Sequence, residues 1–310
     1  MTQAAITVLI PLLGDARHLI TAVCSAAQRQ GVNEVLILDD GSLPHTLNEC
    51  VRLSQAFSNV KLCRCPRNRQ ELSSLLNFGI KQANGEYVAF LIPDGYYLPG
   101  RFNKSLEVLG QQPEVDGIYV DVARRYQGQP QIQDELTSLP PSSAGSDLFD
   151  VLVGSHLDKV DISGLLLRKS ALIRSDCFME GIPEEGGLNA TLIRLSILCN
   201  LRSTTIGHAL AVRCLTQARS QNSTPLIFAR LIYWSEQQKI ASYYRSRLLA
   251  GYLHAFPKSN KGRQTQVAFL ANLLRAAARW PSVMRLKVFW RCFGQTTKAV
   301  VGSLRPASEH

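Results

Sequence analysis

The chain has 310 residues, 45% of them hydrophobic and 19% charged, which is enough for one large α/β domain or for a domain with a substantial appendage. It holds no apolar stretch of about 18 residues and no basic N-terminal segment, which argues against a transmembrane helix and a signal peptide. The net charge of +10 is concentrated from Lys258 onward, where ten Lys and Arg residues accompany one acid, Glu309. The rest of the chain is close to neutral, so the composition argues against a nucleic-acid-binding protein.

Strand and helix patterns alternate through the first hundred residues. In chain order, the apolar spacing predicts the strand Ile6–Pro11, a helix over 19–27, the strand Glu34–Leu38, the helix Thr46–Phe57, the strand Val60–Cys63, the helix Leu72–Ala83 and the strand Tyr87–Leu91. This alternation predicts a parallel sheet wound with helices, whose ligands bind at the carboxyl ends of the strands. Two of these ends carry aspartates: Asp39-Asp40 follows the second strand, and Asp94 follows the fourth.

The pattern loosens beyond Gly117. It predicts the strand Ile118–Val122, a polar loop over Gln127–Asp147, the strand Ile162–Leu167, the helix Leu188–Cys199, a linker over Gln217–Pro225, and helices over Leu226–Ala255 and Gln264–Gly302. We therefore predict two parts, an α/β domain over residues 1–220 and a basic amphipathic helical extension over residues 221–310.

The first hundred residues also resemble a known family in motif order and spacing. The relevant pieces are the opening strand Ile6–Pro11, the strand and Asp-Asp-Gly-Ser turn of Val35–Ser42, the helix piece Asn77–Ile80, the stretch Ala83–Leu91, and Pro99. Together they resemble the family 2 glycosyltransferases, and Ser163–Leu195 is a fainter match. The resemblance implies a GT-A fold, an α/β Rossmann-like mixed sheet flanked by helices. It also implies transfer of a sugar from a nucleoside-diphosphate donor to a glycan or lipid-linked acceptor, with inversion.

The aspartates after the second strand are the expected nucleoside ligands. Carboxylates at a strand end accept hydrogen bonds from a base N–H and from ribose hydroxyls. The resemblance implies that role for Asp39 or Asp40, and it places Pro11 and Asn77 in the same nucleotide-sugar-binding region. The alternative is an Asp-Gly turn that only caps the next helix.

The metal-binding motif is degenerate. Members of the family carry a DxD arrangement after the fourth strand, whereas this chain has Ile92-Pro93-Asp94-Gly95 and retains Asp94 alone. Mg²⁺ or Mn²⁺ prefers carboxylate and phosphate oxygens, so Asp94 is the expected ligand of a divalent metal, with weaker affinity than a pair of aspartates would give. The alternative is that Asp94 is an ordinary Pro-Asp-Gly turn residue.

The catalytic-base motif is altered as well. Counting back from Arg194, the Glu-Asp motif of the family falls on Gly187 and Leu188. The nearest acids are Glu184 and Glu185, and Glu185 is the predicted base that deprotonates the acceptor hydroxyl. The alternative is a solvent-exposed acidic loop before a helix, where Glu favours the helix dipole.

The C-terminal extension mixes basic and aromatic residues along a helical pattern, as in Arg275, Trp280 and Arg285. Such a surface suits an anionic membrane, and the alternative is a helix that packs its apolar side on the α/β domain. The eight cysteines lack zinc or redox spacing and fit free thiols in a reducing compartment. We therefore expect a cytoplasmic protein, peripheral at the inner face of the cell membrane if the extension binds lipid.

Two other functions compete with sugar transfer. The altered motifs also fit a catalytically inactive GT-A-like scaffold that binds a glycan, a nucleotide or a partner enzyme. A nucleotidyltransferase would carry a Gly-rich basic loop near the first strand, and Leu12-Leu13-Gly14-Asp15 is not such a loop.

Overall fold

The computed structural model describes residues 5–14, 17–66, 71–126, 135–137, 149–150, 152–153, 160–181, 186–204, 209–215 and 224–259, and isolated residues beyond 259. The chain divides into two compact units, Met1–Ser220 and Gln221–His310.

The elements of the first unit follow the alternation seen in the sequence. Its strands are β1 (Ile6–Leu12), β2 (Val32–Asp39), β3 (Val60–Arg64), β4 (Tyr87–Phe90), β5 (Gly95–Tyr97), β6 (Gly117–Val120), β7 (Val122–Tyr126), β8 (Glu135–Thr137), β9 (Leu165–Arg168), β10 (Leu201–Thr204) and β11 (Ala211–Leu215). Its helices are α1 (Leu19–Ala27), α2 (Pro44–Ala56), α3 (Leu72–Gln82), α4 (Asn103–Gln111), α5 (Lys169–Arg174) and α6 (Gly186–Leu198).

The main sheet is mixed. Its seven strands have the order β10-β6-β9-β4-β1-β2-β3, and β9 alone runs antiparallel to its neighbours. Every residue of β1 is buried, as are all those of β2 except Asn33, which is expected when helices cover both faces. The predicted GT-A architecture is confirmed, and the carboxyl ends of β1, β2, β3, β4 and β6 lie at one edge, which we call the carboxyl edge.

A second sheet corrects two sequence predictions. It has the order β5-β11-β7-β8. The predicted strand Ile118–Val122 is wrong because the chain leaves the main sheet at Asp121, so that β6 and β7 belong to different sheets. The predicted loop Gln127–Asp147 is wrong at Glu135–Thr137, whose backbone pairs antiparallel with β7 despite few apolar side chains. Other parts of that loop lie outside the described residues.

A buried carboxylate network joins the strands at the opposite, amino edge of the main sheet. Glu34, 5% exposed, accepts hydrogen bonds from the Thr7 hydroxyl (2.9 Å), the Lys61 ammonium (2.8 Å) and both the backbone and side-chain N–H groups of Asn84 (3.0 and 2.8 Å). Burial by itself raises the pKa of Glu34, but these hydrogen bonds outweigh it and hold the pKa at about 2.

We expect Glu34→Gln to lower the free energy of unfolding by about 1.5–3 kcal/mol at pH 7, because the donors around it lose a charged acceptor. The folded pKa lies below the ordinary 4.5, so the contribution of Glu34 is complete above pH 4.5 and falls towards pH 2. Urea unfolding at several pH values should therefore show the difference from wild type shrinking below pH 4.5. A difference that stays constant on acidification contradicts the assignment, and Glu107→Gln, in an exposed pair with Lys104, is the control.

The second unit contains a pair of helices, α7 (Thr224–Gln237) and α8 (Ser242–Ser259). The single predicted helix Leu226–Ala255 is wrong because the chain turns between them, with Lys239 in a left-handed conformation (φ 51°). The predicted helix Gln264–Gly302 lies almost wholly outside the described residues. Among the described helices, none is both long and apolar enough to cross a membrane.

Candidate active site

Asp39 and Asp40 lie at the carboxyl edge, each 2% exposed. Asp39 is the last residue of β2 and is opposite Leu12 of β1, and Pro11 is buried one pair earlier, opposite Leu38. The backbone N–H of Asp40 donates to the Leu12 carbonyl (3.2 Å), which ties the turn to the end of β1. The structure therefore brings three of the predicted donor residues, Pro11, Asp39 and Asp40, to one place.

The two oxygens of Asp39 already have partners. Oδ1 accepts a hydrogen bond from the Ser42 backbone N–H (2.9 Å), which closes the Asp-Asp-Gly-Ser turn. Oδ2 lies 3.5 Å from Nε of Arg64, whose side chain is 69% exposed at the end of β3. Arg64 was not predicted as a site residue, although its place at the end of the strand beside β2 was a usable signal. Asp39 thus shapes the turn, and Arg64 places an exposed positive charge beside it.

The Asp94 turn joins the main sheet to the second sheet. The Asp94 side chain is exposed, its carbonyl accepts a hydrogen bond from the Cys214 backbone N–H (2.8 Å), and the Gly95 N–H donates to the Ile92 carbonyl (2.9 Å). A Cβ at Gly95 would lie 2.8 Å from the Val212 carbonyl oxygen, so glycine is required for this close approach. The acid that the family often has beside this aspartate therefore has no room here.

A buried ion pair lies next to the Asp94 turn in the second sheet. Arg213, which is opposite Gly95 in the second sheet, contacts Asp161 at 2.9 Å, with side-chain exposures of 7% and 0%. Burial raises the pKa of Asp161, but the Arg213 charge and the Ser163 backbone N–H (2.9 Å) together hold that pKa below its usual range. Neither residue was singled out from the sequence, because they are 52 positions apart and belong to no motif.

Asn77 contacts protein rather than open space. Its Nδ2 donates to the Phe178 carbonyl (2.9 Å) and to Glu180 Oε1 (3.0 Å), while its Oδ1 accepts from the Phe178 N–H (2.7 Å). The amide thus pairs with the backbone of residue 178 much as a neighbouring strand would. The prediction that Asn77 binds the nucleotide sugar stays a prediction, but in this structure both N–H groups of its amide are engaged within the protein.

The segment Asp176–Gly181 is held from both sides. On the α3 side, Asn77 holds Phe178, and Glu71 Oε1 accepts from the Gly181 N–H (2.5 Å). On the α6 side, the Thr191 hydroxyl accepts from the Met179 N–H (2.9 Å). The Arg194 guanidinium of α6 also donates to the carbonyls of Asp176 and Cys177, which adopt left-handed conformations with φ of 61° and 51°.

The predicted base, Glu185, lies outside the described residues, and so does Glu184. The family's Glu-Asp positions fall on the first turn of α6, where Leu188 is 4% exposed. A Cβ at Gly187 would overlap Ser73 Oγ and lie 2.8 Å from the Met179 carbonyl oxygen. The space that a carboxylate at 187 needs is therefore filled by α3.

We expect Gly187→Ala to lower the free energy of unfolding by about 1–3 kcal/mol, because the added methyl group overpacks the contact between α3 and α6. Gly110→Ala is the matched control, since a Cβ at this helical position meets nothing within 4 Å. Gly110→Ala should stabilise the protein by about 0.4–1 kcal/mol, because alanine lowers the conformational entropy of the unfolded chain. Urea denaturation compares the two, and equal effects would contradict the close packing at Gly187.

The described residues contain no group of three or more His, Cys, Asp or Glu placed to hold a metal ion. The exposed carboxylate of Asp94 suits a hard divalent cation only if phosphate and water oxygens complete the coordination. This donor set fits Mg²⁺ or Mn²⁺ that arrives with a diphosphate, and it does not fit a site made by protein ligands alone.

A mixed sheet with one reversed strand and with carboxylates along its carboxyl edge defines the class of protein, a GT-A domain. The sequence profile named Glycosyl transferase family 2 matches residues 7–161, which is 155 of the 310 residues. The chain therefore belongs to glycosyl transferase family 2, and the resemblance found in the sequence is confirmed.

Curated relatives share the first part of the chain. An uncharacterized glycosyltransferase of Rickettsia typhi is 29% identical over 114 residues, which cover 36% of this chain and 34% of that protein. An uncharacterized glycosyltransferase of Haemophilus influenzae is 25% identical over 112 residues, covering 36% and 44%. This chain thus matches about a third to somewhat under half of the length of these relatives.

Solved structures share the fold at low sequence identity. The TarS protein of Staphylococcus aureus matches with a TM-score of 0.67 and 14% identity, over 98% of this chain and 56% of TarS. TarS residues 1–349 in complex with UDP-GlcNAc match with a TM-score of 0.64 and 14% identity, over 95% and 81%. At this identity the likeness concerns the fold alone.

Proposed function

We propose that the protein transfers a sugar from a nucleoside-diphosphate donor to a hydroxyl of a glycan or lipid-linked acceptor, with inversion at the sugar carbon. The observation that carries the proposal is the pair of buried carboxylates, Asp39 and Asp40, at the carboxyl edge of a family 2 sheet. The TarS fragment of the same fold was solved with UDP and with UDP-GlcNAc, which makes a uridine donor the first to test.

The donor would lie across the ends of β1, β2 and β4. Asp40 accepts hydrogen bonds from the nucleoside, Asp39 keeps the turn closed through Ser42, and Arg64 lies beside the base or ribose. Asp94 would hold a Mg²⁺ or Mn²⁺, which would supply positive charge to offset the charge of the diphosphate leaving group. Glu185 is the base predicted from the sequence, and it stays a prediction.

Calorimetric titration of the full chain tests the proposal. The ligands are UDP, GDP, CDP and ADP, together with UDP-GlcNAc, UDP-glucose and GDP-mannose, each with and without Mn²⁺. We expect one nucleotide to bind and Mn²⁺ to tighten that binding, while Asp94→Asn removes the Mn²⁺ dependence. An absence of binding across the panel contradicts the donor site and favours the glycan-binding scaffold.

Location at an anionic membrane surface is a second part of the proposal, and charge supports it. Residues 221–310 contain 14 Lys and Arg and 2 acids, a balance of +12, so residues 1–220 carry 20 Lys and Arg and 22 acids, a balance of −2. Each basic residue near an anionic bilayer contributes about 1 kcal/mol. We expect the full chain to co-sediment with vesicles of phosphatidylglycerol and phosphatidylcholine and to stay in solution with phosphatidylcholine alone. If the same fraction of the protein sediments with both kinds of vesicle, the result contradicts a location at an anionic membrane surface.

A further inference from the structure

The first turns of α3 and α6 meet at the carboxyl edge. The position that corresponds to the family's catalytic acid, Gly187, contacts Ser73 so closely that a Cβ would overlap the Ser73 hydroxyl. Ser73 is the second residue of α3, and Glu71 precedes that helix as its N-cap residue. Glu71 thus lies two positions before the residue of α3 that contacts Gly187.

A chain of contacts connects Glu71 to the Asp94 turn. Phe90 is the last residue of β4, four positions before Asp94, and its ring packs edge-on against Phe178 at 5.4 Å between centroids. Three residues after Phe178, the backbone N–H of Gly181 donates to Glu71 Oε1 at 2.5 Å. Glu71 also begins the helix that follows the carboxyl end of β3, which places it on the same edge as Asp39 and Asp40.

The environment of Glu71 suits proton transfer. Its side chain is half-buried, and its Oε1 is anchored by Gly181. Within the described part of the chain, Oε2 accepts no hydrogen bond. A carboxylate with one oxygen fixed and the other available has the geometry that a general base requires.

We propose that Glu71 is the general base of the transfer, in place of the acid that this chain lacks at 187. This inference rests on the proposed function. The acceptor hydroxyl gives its proton to Glu71 Oε2 while its oxygen forms the new bond to the anomeric carbon. The bond between that carbon and the phosphate oxygen breaks, and the nucleoside diphosphate leaves with the electron pair.

Other described acids near this edge are less suited to the role. Glu180 is exposed, and its Oε1 accepts from Asn77. Asp161 is fully buried against Arg213, and Asp39 is engaged with Ser42 and Arg64. Glu180 is one residue from Gly181 in the same segment, so it provides a matched control for the loss of a neighbouring carboxylate.

The test uses the full chain with UDP-GlcNAc and Mn²⁺, with water as the acceptor, and measures UDP release alongside calorimetric affinity for UDP. The other donors of the panel replace UDP-GlcNAc if one of them binds instead. We expect Glu71→Gln to lower turnover by about 10²–10⁴-fold with unchanged UDP affinity, while Glu180→Gln keeps wild-type turnover. Added formate should restore turnover to Glu71→Ala, because a small carboxylate replaces a lost base but not a lost fold. Circular dichroism confirms folding of each variant.

The outcomes separate this inference from the proposed function. Wild-type turnover by Glu71→Gln overturns the base assignment, and so does a loss of turnover confined to Glu185→Gln. UDP affinity that falls in parallel with turnover in Glu71→Gln, with no rescue by formate, also overturns it. If the wild-type chain binds a donor but does not release UDP, the proposed donor site is retained and the assignment of Glu71 as the base is contradicted. A wild-type chain that binds no donor contradicts the proposed function, and the assignment of Glu71 falls with it.

Discussion

Replacing Arg213 by Gln is expected to lower the free energy of unfolding by about 3–5 kcal/mol. The substitution leaves the Asp161 carboxylate 0% exposed with no opposing charge. An unpaired charge in the interior costs far more than the pair itself contributes, because the remaining ion has lost its water. Urea denaturation at pH 7 measures the effect.

Exposure, rather than distance, should decide the size of this loss. The Arg174–Asp116 pair has the same 2.9 Å separation as Arg213–Asp161, but Arg174 is 59% exposed. Arg174→Gln is therefore the matched control and should cost less than about 1 kcal/mol. Equal losses in the two variants would contradict the argument from burial.

The Arg213→Gln variant should also reverse the pH dependence that Asp161 contributes. In the wild type Arg213 holds the pKa of Asp161 below its usual range, so this contribution to stability is present above the ordinary pKa and is lost on acidification. Without Arg213, burial raises that pKa, and protonation then favours the folded state. The difference between wild type and variant should narrow as the pH falls from 7 to 4, and a constant difference would contradict the mechanism.

Asp40→Ala is expected to weaken the binding of the donor nucleotide by about 10–150-fold. Hydrogen bonds to a charged group contribute about 1.5–3 kcal/mol, which corresponds to this range of dissociation constants. Asp40 is a better choice for this test than Asp39, because Asp39 also closes the turn by accepting from Ser42. Loss of Asp39 would change both the folding of the turn and the binding of the nucleotide. Calorimetry with UDP, or with whichever nucleotide binds the wild type, measures the change.

The control for this experiment is Glu107→Ala, which removes an exposed carboxylate of α4 that pairs with Lys104. It should bind nucleotide as the wild type does. Circular dichroism of Asp40→Ala must match the wild type for the loss to concern binding. Unchanged affinity in a folded Asp40→Ala variant would remove Asp40 from the donor site.

The fold and the placement of the aspartates near the ends of strands were predictable because their signals are local. Strands β1, β2 and β4 are short apolar runs, and Asp39-Asp40 directly follows the apolar run of β2, while Asp94 lies four residues after the end of β4. Strands β5, β10 and β11 were not predicted, since three to five residues carry little periodicity.

The sequence by itself determined the family, the positions of the first four strands along the chain, and the aspartates that follow two of those strands. Motifs and periodicity are local features of the chain, so the sequence shows them directly. Only the tertiary structure decided which distant residues share a contact. It brought together Asn77 and Phe178 across 101 positions, Glu71 and Gly181 across 110, and Arg213 and Asp161 across 52. Such pairs depend on strand order, register and helix packing, which depend on the whole fold at once. For that reason the packed contact of Gly187 with Ser73 and the contact of Glu71 with Gly181 emerged from the structure alone.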